Sequence, residues 1–300
     1  MKQKVAVLGV GGMLGSTILD VFSKEQNFNL IATVRNKKEV NQFKKYKCDI
    51  IELDVEYANV NTLKKTLKGV SWIVNAIGII KPYIHDDNAS ETERALRVNA
   101  LFPYYLSRAA AELGAKVVQI ATDCVYSGEK GKYVESDLHD ALDVYGKTKS
   151  LGEAYFENIY HLRCSIIGPE LTNHLSLMDW FLTQPKNAKL NGYKNHLWNG
   201  VTTLQFAKLS AGMIKKNLDL GHLQHVIPAN EINKADLLKC FGKYFDRRDI
   251  KIKPVDAPKV VDRTLRTENK DMNLALWQAA GYKKIPTVEE MVDELVKFKY

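Results

Sequence analysis

The chain contains few cysteines and no long apolar segment. Its four cysteines, Cys48, Cys124, Cys164 and Cys240, are widely separated and form neither a C-x-x-C pair nor a Cys/His cluster. This spacing predicts reduced thiols rather than disulfides, and no metal site. No run approaches the roughly 20 apolar residues that span a bilayer, so no membrane partner is predicted. The charged start and the short apolar segment that runs into glycines fit a buried strand better than a signal peptide, which predicts a cytoplasmic protein.

Blocks of like charge are also missing. The net charge of +8 is spread along the chain without a block of five or more like charges, which is typical of a solvated surface. No basic stripe interleaved with aromatic residues is present, so no nucleic-acid partner is predicted. The positive balance suits a site for a phosphate-rich small ligand. The sequence does not specify the oligomeric state, and a homodimer is compatible with it.

Short apolar segments alternate with amphipathic segments through the first half of the chain. The sequence predicts strands at 4–8, 29–34, 49–53, 71–76, 116–122 and 161–166. It predicts helices between them at 13–22, 38–45, 60–67, 90–113 and 144–158. Continuous apolar strands separated by helices indicate an α/β fold with a doubly wound parallel sheet that is covered on both faces. In such a fold, ligands bind at the carboxyl ends of the strands.

A glycine-rich turn follows the first predicted strand and leads into the first predicted helix. Its G-x-x-G-x-x-G spacing permits a tight turn and a close backbone approach to a diphosphate, with the helix N-terminus directed at the phosphates. A plain glycine-rich turn is the alternative, but the position between strand and helix favours dinucleotide binding. The cofactor contacts predicted here are Gly9, Gly11, Gly12, Met13, Leu14 and Gly15.

Residues after strands two to four extend the predicted cofactor site. Arg35 ends strand two, where a protein that prefers NAD usually carries an acid, so we predict a preference for NADP(H) over NAD(H). The adjacent Lys37 and Lys38 could equally begin a solvated helix. The other predicted cofactor contacts follow strands three and four and are Asp54, Val55, Asn75, Ala76, Ile77 and Gly78.

The periodicity becomes less regular after residue 168, where prolines and glycines interrupt loops. A helix at 203–217 and a strand at 223–227 are predicted to return to the main sheet, and helices at 233–245 and 288–298 to belong to a smaller lobe. We expect a dinucleotide-binding domain of residues 1–168 plus about 203–228. The remaining residues, about 169–202 and 229–300, are expected to form a partly interleaved C-terminal substrate lobe.

Tyr145 and Lys149 are spaced four residues apart, which places both side chains on one face of a helix. A free phenol has a pKa of about 10, and a neighbouring ammonium favours the phenolate. We therefore expect Lys149 to lower the pKa of Tyr145 toward the range of an acid–base catalyst. Thr122 ends strand five, and if the backbone stays extended there, Cys124 lies on the same side. Thr122 would hydrogen-bond a substrate carbonyl group while Tyr145 delivers a proton.

Together these motifs resemble those of the extended short-chain dehydrogenases/reductases, which have a Rossmann fold. They are most similar to the dTDP-4-dehydrorhamnose reductase group of nucleotide-sugar 4-ketoreductases. The resemblance covers about residues 1 to 230 and rests on segments 9–15, 75–78, 97–99, 121–128, 145–149 and 162–163. It implies that Thr122, Tyr145 and Lys149 are catalytic and that Asn99 supports Lys149. Asn99, Tyr145 and Lys149 are also predicted to contact the cofactor, with Lys149 holding the nicotinamide ribose. It also implies an NADPH-dependent enzyme that reduces the 4-keto group of a nucleotide-linked 4-keto-6-deoxyhexose for surface polysaccharide.

Cys124 departs from the reductase pattern, which often has an aromatic residue there. The related GDP-fucose synthases, which epimerise as well as reduce, carry a Cys two residues after the catalytic Ser/Thr and a His after strand six. His174 lies in roughly the matching region, so a bifunctional epimerase/reductase is an alternative. Cys124 could instead be a buried small apolar residue, and His174 a surface loop residue.

Further substrate contacts are predicted around the carboxyl ends of the strands and in the loop at 192–203. That loop combines aromatic, amide and hydroxyl groups that could bind a nucleobase and sugar, or pack with Trp198 as a core residue. Arg163 could face the diphosphate or pair with an internal carboxylate, and Arg263 and Arg266 could bind phosphate or be surface charges. The predicted substrate contacts are Asp123, Cys124, Arg163, His174, His196 and Trp198.

Two functions of other kinds remain open at this point. Relatives of this fold serve as non-catalytic, cofactor-binding regulatory subunits, although all three catalytic residue types are retained here. Sugar-nucleotide dehydratases need acid–base carboxylates after the catalytic Thr, and Asp123 is present but is followed by Cys124 rather than Glu. The other histidines, His139, His161, His222 and His225, show no ligand spacing and are interpreted as structural.

Overall fold

The structure, a computed structural model that describes residues 2–298, alternates strands and helices through the first half of the chain. The β-strands of the described residues are β1 (Gln3–Leu8), β2 (Phe28–Val34), β3 (Asp49–Glu52), β4 (Trp72–Asn75), β5 (Lys116–Ala121), β6 (Ile159–Arg163), β7 (Ile166–Ile167), β8 (Lys189–Tyr193), β9 (His196–Trp198), β10 (Val201–Thr202), β11 (Leu223–His225), β12 (Ile232–Asn233), β13 (Lys251–Val255) and β14 (Val261–Asp262). The α-helices are α1 (Met13–Ser23), α2 (Val60–Thr66), α3 (Ala89–Ala95), α4 (Phe102–Leu113), α5 (Val144–Leu151), α6 (Leu177–Leu182), α7 (Thr203–Lys216), α8 (Lys234–Tyr244), α9 (Lys270–Ala279) and α10 (Val288–Lys297). Short 3-10 helices lie at Lys37–Phe43, Lys81–Tyr83 and Asp123–Val125, and a π-helix lies at Leu96–Leu101.

Seven strands form one sheet in the order β11-β6-β5-β4-β1-β2-β3. Every neighbouring pair in this sheet is parallel. From β1 the chain adds strands on one side through β2 and β3, and then crosses to β4 on the other side. The crevice between β1 and β4 is therefore the point at which doubly wound proteins bind their ligands. The predicted α/β fold with a doubly wound parallel sheet is confirmed.

Alternate side chains of β1 pack on opposite faces of the sheet. Val5 and Val7 belong to a core shared with α1 and α7, whereas Ala6 and Leu8 belong to a second core that includes α2 and α4. All four side chains are completely buried. Both faces of the sheet are thus covered by helices, which explains why its strands are continuously apolar.

The second half of the chain adds one strand to the main sheet and forms three small sheets beside it. β11 pairs in parallel with β6, as expected for the strand predicted at 223–227. The small sheets consist of β7 with β10, β8 with β13, and β9 between β12 and β14. Sequence periodicity did not reveal these strands, because segments of two to five residues are too short for a clear pattern.

The helix predicted at 90–113 is not continuous. It consists of α3, the π-helix at Leu96–Leu101 and α4. Pro103, in the first turn of α4, has no N–H group, and its ring crowds the carbonyl group of Asn99 four residues earlier. A π-helix is a wider turn that is found where regular hydrogen bonding is interrupted, often at functional sites. The position of Pro103 therefore accounts for the interruption.

The helix predicted at 144–158 ends early, since α5 stops at Leu151. At Gly152 the backbone lies so close to the π-helix that a Cβ atom would come within 1.9 Å of the Asn99 carbonyl oxygen. After Gly152 the chain leaves the helix, and the side chain of Glu153 points into the interior. The apolar residues that follow continued a helical pattern in the sequence, which is why the predicted helix was too long.

Neither a membrane span nor a metal cluster is present in the part of the chain that the structure describes. No helix within residues 2–298 is long and apolar enough to cross a membrane. The same residues form no group of three or more His, Cys, Asp or Glu side chains that could hold a metal ion. The four cysteines are free thiols.

The variant Gly152→Ala is expected to destabilise the protein by roughly 1–3 kcal/mol, because the added methyl group would force α5 away from the π-helix. Lys147→Ala is the matched control, since Lys147 is exposed on the same helix. Urea unfolding followed by circular dichroism measures the free energy of unfolding of both variants. Equal stability of the two would contradict the close contact at Gly152.

Candidate active site

The glycine-rich turn after β1 is held by β2. Gly9 has a φ of +81°, and its N–H group donates to Thr33 Oγ1 at 3.1 Å. The N–H group of Val10 donates to the Thr33 carbonyl oxygen, and that of Gly12 to the Gly9 carbonyl oxygen. A Cβ atom on Gly15 would lie 2.1 Å from the Gly9 carbonyl oxygen, so glycine is needed for α1 to begin this close to the turn. The helix N-terminus therefore directs its free N–H groups and positive dipole toward the β1/β4 crevice.

The other predicted residues of the turn differ in what they offer a cofactor. Leu14 is buried in the core, so only its backbone is available. Met13 begins α1 and is partly exposed. Gly11 lies beside Glu39, whose carboxylate oxygen would be 2.6 Å from a Cβ atom at position 11. Sequence reasoning missed Glu39, since no motif marks a carboxylate in the segment after β2.

The predicted cofactor residues after β2 and β3 lie at the same edge of the sheet. Arg35 directly follows β2 and is exposed. Asp54 follows β3, and its Oδ1 accepts a hydrogen bond from the Glu56 N–H group at 3.1 Å. Val55 is buried in the second core, so its side chain is not available to a ligand. Arg35 and Asp54 are therefore one and two strands away from the glycine turn.

The segment after β4 connects the glycine turn with Lys149. Ile77 packs against Gly9, where a Cβ atom would lie 2.6 Å from Ile77 Cγ1. One residue on, a Cβ atom at Gly78 would lie 3.5 Å from Asn99 Oδ1 and 3.9 Å from Lys149 Nζ. A continuous path thus runs along this segment from the turn that would bind phosphates to the predicted catalytic lysine.

Asn75 and Ala76, at the start of this segment, are tied to the sheet. The Asn75 side chain is fully buried, donates to Gln119 Oε1 at 2.7 Å and accepts from the Ile77 N–H group at 3.0 Å. The Ala76 N–H group donates to the Leu8 carbonyl oxygen. These bonds fix the backbone of the segment and leave the Asn75 amide engaged within the protein.

Asn99 joins the π-helix to two neighbouring segments. Its Oδ1 accepts from the Ile79 N–H group at 2.8 Å, and its Nδ2 donates to the Ile79 carbonyl oxygen at 2.9 Å. The same Nδ2 atom donates to Thr148 Oγ1 at 3.3 Å. Asn99 therefore holds the segment after β4 against α5, next to Lys149.

Thr122, Cys124 and Tyr145 meet at the carboxyl end of β5. Thr122 begins the 3-10 helix at Asp123–Val125, and its Oγ1 accepts from the Cys124 N–H group at 3.1 Å. The backbone therefore does not stay extended, yet Cys124 remains beside Thr122. A Cβ atom on Gly146 would lie 2.5 Å from the Cys124 carbonyl oxygen, so α5 begins in close contact with this turn. The Thr122 hydroxyl group lies near enough to the Tyr145 phenol to lower its pKa.

Burial has the largest influence on the pKa values of Tyr145, Cys124 and Lys149. It raises the pKa of Tyr145, and negative charge at Cys124 would raise it further, whereas the nearby Thr122 hydroxyl group lowers it. Burial raises the pKa of Cys124 to about 12 and lowers the pKa of Lys149 to about 8. Lys149 Nζ donates to the Ile120 carbonyl oxygen at 3.1 Å. In the structure the neighbour that lowers the pKa of Tyr145 is Thr122. A lowering of this pKa by Lys149 stays a prediction.

Charged side chains surround the turn that follows Thr122. Asp123 is buried, and this burial raises its pKa, while the positive charge of Arg263 opposes the rise. The Arg263 Nε atom donates to the Tyr126 carbonyl oxygen at 2.8 Å. Burial also lowers the pKa of Lys234, which begins α8, and the negative charge of Asp123 opposes that change. Two cations and one buried carboxylate therefore lie close to the predicted catalytic group.

Besides Glu39, the sequence analysis missed three residues near the site: Lys81, Asp143 and Lys234. Asp143 caps α5 by accepting from the Gly146 N–H group at 2.8 Å, and it pairs with Lys81 Nζ at 2.7 Å. An Asp directly before a helix is a frequent N-cap and could have identified Asp143. Lys81 and Lys234 belong to no motif, and only the folded chain brings them here.

The prediction that Arg163 contacts a substrate is wrong. Arg163 is completely buried, and its Nη1 atom lies 2.7 Å from Tyr126 Oη and 2.8 Å from His225 Nε2. Its Nη2 atom lies 2.8 Å from His139 Nε2 and pairs with the Glu153 carboxylate. The second possibility that the sequence left open, pairing with an internal carboxylate, is the one observed.

A contact between Trp198 and a substrate stays a prediction, although its side chain lies in the core. Trp198 is 8% exposed, packs in the core, and donates from Nε1 to Ser165 Oγ at 2.8 Å. It is the core residue that the sequence allowed as the alternative. His196 lies 3.0 Å from the Lys259 carbonyl oxygen through Nε2, and its ring packs against Tyr193. A contact between His196 and a substrate stays a prediction.

His174 lies on the loop before α6. Its φ is +52°, its side chain is about half exposed, and its Nδ1 atom lies 2.8 Å from Asp179 Oδ2. The neighbouring Asn173 donates to Tyr83 Oη at 2.8 Å, which brings this loop to the 3-10 helix at Lys81–Tyr83. Within residues 2–298 no hydrogen bond or ion pair joins His174 to Cys124. Their joint action in epimerisation stays a prediction.

The glycine turn at the β1/β4 crevice and the Thr–Tyr–Lys group at the end of β5 define a dinucleotide-binding protein with a Rossmann-type sheet. Over residues 3–299 the chain matches the family described as RmlD substrate binding domain. Because this match covers nearly the whole chain, the protein belongs to that family. The resemblance predicted from the sequence motifs is confirmed.

Curated relatives match only part of the chain. A dTDP-4-dehydrorhamnose reductase from Aggregatibacter actinomycetemcomitans is 28% identical over 152 residues, which is 50% of this chain and 45% of the relative. The spore coat polysaccharide biosynthesis protein SpsK from Bacillus subtilis is 26% identical over 50% of this chain and 47% of its own. The methionine adenosyltransferase 2 subunit beta from Rattus norvegicus is 37% identical over 23% of this chain and 21% of its own. The matches to the two biosynthetic proteins thus span a little under half of those proteins.

Solved structures show the same fold along almost the entire chain. A dTDP-4-dehydrorhamnose reductase from Clostridium acetobutylicum superposes with a TM-score of 0.75 at 21% identity, covering 98% of this chain and 99% of the other. A dTDP-4-dehydrorhamnose reductase from Bacillus anthracis, solved with NADP, has a TM-score of 0.72 at 17% identity and covers 98% of this chain and 99% of the other. A UDP-glucuronic acid 4-epimerase from Bacillus cereus, solved with NAD, has a TM-score of 0.73 at 14% identity and covers 98% of this chain and 96% of the other. At these identities the similarity establishes the fold.

Acid is expected to destabilise the protein through buried histidines around Arg163. Burial lowers the pKa of His161 and of His225 to about 4, against about 6.5 in an unfolded chain. Between these values the unfolded chain binds more protons than the folded chain, so the free energy of unfolding decreases as the pH falls from about 6.5 toward about 4. Above this range the two groups cause no change with pH. Urea unfolding at a series of pH values measures the effect.

His161→Gln tests the contribution of one of these groups. Removing its imidazole should make the loss of stability on acidification shallower, because one fewer buried group takes up a proton on unfolding. His174→Gln is the matched control, since its side chain is about half exposed. A pH dependence of His161→Gln that equals that of the control would show that this histidine is not responsible.

Proposed function

We propose that this protein is an NADPH-dependent reductase of the 4-keto group of a nucleotide-linked 4-keto-6-deoxyhexose, in the biosynthesis of surface polysaccharide. The observation that carries the proposal is the meeting of Thr122, Tyr145 and Lys149 at the end of the path that runs from the glycine turn. Relatives named dTDP-4-dehydrorhamnose reductase, and the polysaccharide biosynthesis protein SpsK, support the substrate class and the pathway.

The shape of the β1/β4 crevice supports binding of a dinucleotide. The backbone at Gly9 and Gly15 approaches its neighbours too closely to accept a side chain, which keeps the N-terminus of α1 open to a diphosphate. Arg35 would bind the 2′-phosphate, and Lys149 would hydrogen-bond the nicotinamide ribose. When bound, NADPH supplies the hydride for reduction.

In this mechanism Tyr145 is the general acid. Its phenol donates a proton to the substrate carbonyl oxygen, while the Thr122 hydroxyl group hydrogen-bonds the same oxygen. Burial raises the pKa of Tyr145 and so keeps the phenol protonated at neutral pH until it is needed. The Lys149 ammonium then stabilises the negative charge that develops on Tyr145 as the proton leaves. The backbone at the end of β5 positions Thr122, and helix α5 positions Tyr145 and Lys149.

The second half of the chain would supply most of the substrate contacts. We assign the dinucleotide-binding domain to residues 1–168 plus about 203–228, and the substrate lobe to about 169–202 and 229–300. Arg263 and Lys234 come from this lobe and lie near Asp123, where two cations suit the diphosphate of a nucleotide sugar. Asp123 would accept a hydrogen bond from a sugar hydroxyl group.

A non-catalytic regulatory subunit is the second candidate function. The observation in its favour is the 37% identity to a relative named as methionine adenosyltransferase 2 subunit beta, although this covers 23% of the chain. In that case the dinucleotide would stabilise a surface that binds a partner enzyme. The grouping of Thr122, Tyr145 and Lys149 argues for the reductase, because a regulatory subunit has no need of an acid beside a lysine.

Tyr145→Phe is expected to lower kcat by about 10²–10⁴-fold, because it removes the proton donor. The affinity for NADPH should stay nearly unchanged, since the ring and its packing remain. NADPH absorbance against a panel of 4-keto nucleotide sugars measures the rate, and NADPH fluorescence measures binding. Tyr155→Phe is the matched control, because Tyr155 is 82% exposed.

Three outcomes would separate the candidate functions. A Phe variant that retains wild-type turnover would show that Tyr145 is not the acid. Wild-type protein that binds NADPH tightly but reduces none of the sugars would favour the regulatory subunit. Turnover in deuterium oxide that places deuterium at a ring carbon next to the keto group would favour the bifunctional epimerase/reductase.

Arg35→Ala is expected to raise the Kd for NADPH by roughly 10- to 100-fold and to leave the Kd for NADH nearly unchanged. The reason is the loss of a charge-assisted hydrogen bond of about 1.5–3 kcal/mol to the 2′-phosphate, which NADH lacks. Arg108→Ala, an exposed position on α4, is the matched control. Isothermal titration calorimetry measures both affinities. Equal Kd values of the wild-type protein for the two cofactors would remove the proposed preference.

A further inference from the structure

Glu153 lies one turn beyond Lys149 and has no place in the mechanism above. The residue follows the end of α5, and its side chain is 11% exposed. One carboxylate oxygen, Oε2, pairs with Arg163 Nη2. The other, Oε1, is buried and has no hydrogen-bond partner among the described residues. A buried carboxylate oxygen without a partner is costly, so its retention calls for a physical reason.

The cation that pairs with Glu153 is held rigidly. Arg163 is completely buried on β6 and contacts Tyr126, His139 and His225 through its two terminal nitrogens. Because these partners come from separate segments, the guanidinium group cannot rotate away from the carboxylate. Although burial raises the pKa of Glu153, Arg163 holds it below the usual range, so the side chain is a carboxylate at neutral pH.

Lys149 needs a counter-charge. Its ammonium is buried and donates to the Ile120 carbonyl oxygen, a neutral group. Burial lowers the pKa of Lys149 to about 8, and the negative charge of Glu153 opposes this decrease. His161 on β6 also faces Lys149, but burial holds its pKa at about 4, so the imidazole is neutral at pH 7. Tyr145, on the same helix, remains a neutral phenol.

We propose that Glu153 is a positioning residue that keeps Lys149 in the ammonium form at neutral pH, and that Arg163 and His139 hold the carboxylate in place for this purpose. The inference rests on the proposed function only in that Lys149 is taken to act as a cation on Tyr145. The electrostatic coupling between Glu153 and Lys149 is a property of the protein without any substrate. It can therefore be measured separately from the reaction.

The direction of the effect follows from the charges. Glu153→Gln removes a negative charge near Lys149 and leaves the positive charge of Arg163 without its partner. Both changes disfavour the ammonium form, so the pKa of Lys149 should decrease. Glu153 and Lys149 are both largely buried and lie four residues apart in the chain, so we expect a decrease of at least about one pH unit.

Nuclear magnetic resonance of protein labelled with ¹³C at the lysine Cε atom measures the pKa of Lys149 directly. Its signal is assigned by its absence from Lys149→Met, and its chemical shift is followed against pH in the full-length protein. We compare wild type, Glu153→Gln and Glu157→Gln, since Glu157 is an exposed glutamate four residues further along the chain. The proposal expects a lower pKa in Glu153→Gln alone. An unchanged pKa in folded Glu153→Gln would overturn it.

The pH dependence of kcat gives a second readout. Loss of the ammonium form should make kcat fall at high pH, and this fall should begin at least about one pH unit lower in Glu153→Gln than in wild type or Glu157→Gln. A purely structural role would lower kcat equally at all pH values. If no sugar of the panel is reduced, the titration of Lys149 still tests the coupling, so failure of the proposed function and failure of this inference can be told apart.

Glu153→Asp covers the case in which Glu153→Gln does not fold. The shorter carboxylate keeps its charge and can still pair with Arg163, but it lies further from Lys149. A smaller decrease in the pKa of Lys149 is therefore expected, with unfolding by urea close to that of wild type. A folded Glu153→Asp variant in which Lys149 titrates as in wild type would overturn the proposal.

Discussion

A buried ammonium group constrains the centre of this protein. Lys149 brings its Nζ atom to the carboxyl end of β5, where it donates to Ile120 and lies close to Gly78. Burial of a charge is costly unless it is paired and hydrogen-bonded, so the elements around Lys149 must stay closely packed. The π-helix holds Asn99 against the segment after β4, and Gly152 lets α5 lie directly on that helix. If either contact loosened, water would reach the ammonium group and its position beside Tyr145 would no longer be fixed.

Burial also decides which chemistry the group at the end of β5 supports. The phenol of Tyr145 and the thiol of Cys124, whose pKa burial raises to about 12, both stay protonated at neutral pH. Reduction of a ketone needs a proton donor, and two donors lie beside Thr122. Epimerisation needs a base that removes a proton from carbon, which a thiol with this pKa does poorly. Protonated donors beside Thr122 are thus consistent with the proposed reduction.

The sequence predicted those parts of the fold and site that depend on local patterns. The strands and helices of the first half, the glycine turn and the Tyr145–Lys149 pair each follow from residues that are close together in the chain. The end of α5 could not be predicted, because it depends on contact between Gly152 and the carbonyl group of Asn99, about 50 residues away. Arg163 was assigned to the substrate for a similar reason. An arginine near the carboxyl end of a strand suits a phosphate, and only the folded chain reveals the buried partners that satisfy it.

Two side chains of opposite charge lie where they would influence a preference for one dinucleotide over the other. Arg35 is exposed at the end of β2, whereas the Glu39 carboxylate lies against Gly11 and accepts from Asn36 Nδ2 at 2.6 Å. A carboxylate near the N-terminus of α1 opposes the binding of any diphosphate, and it opposes a 2′-phosphate more strongly because that group adds further negative charge. The proposed preference for NADP(H) therefore requires that Arg35 stabilise the 2′-phosphate by more than Glu39 destabilises it. Asn36 is the neighbour of Arg35 in the chain and donates to Glu39, so the segment that carries Arg35 is held beside this carboxylate.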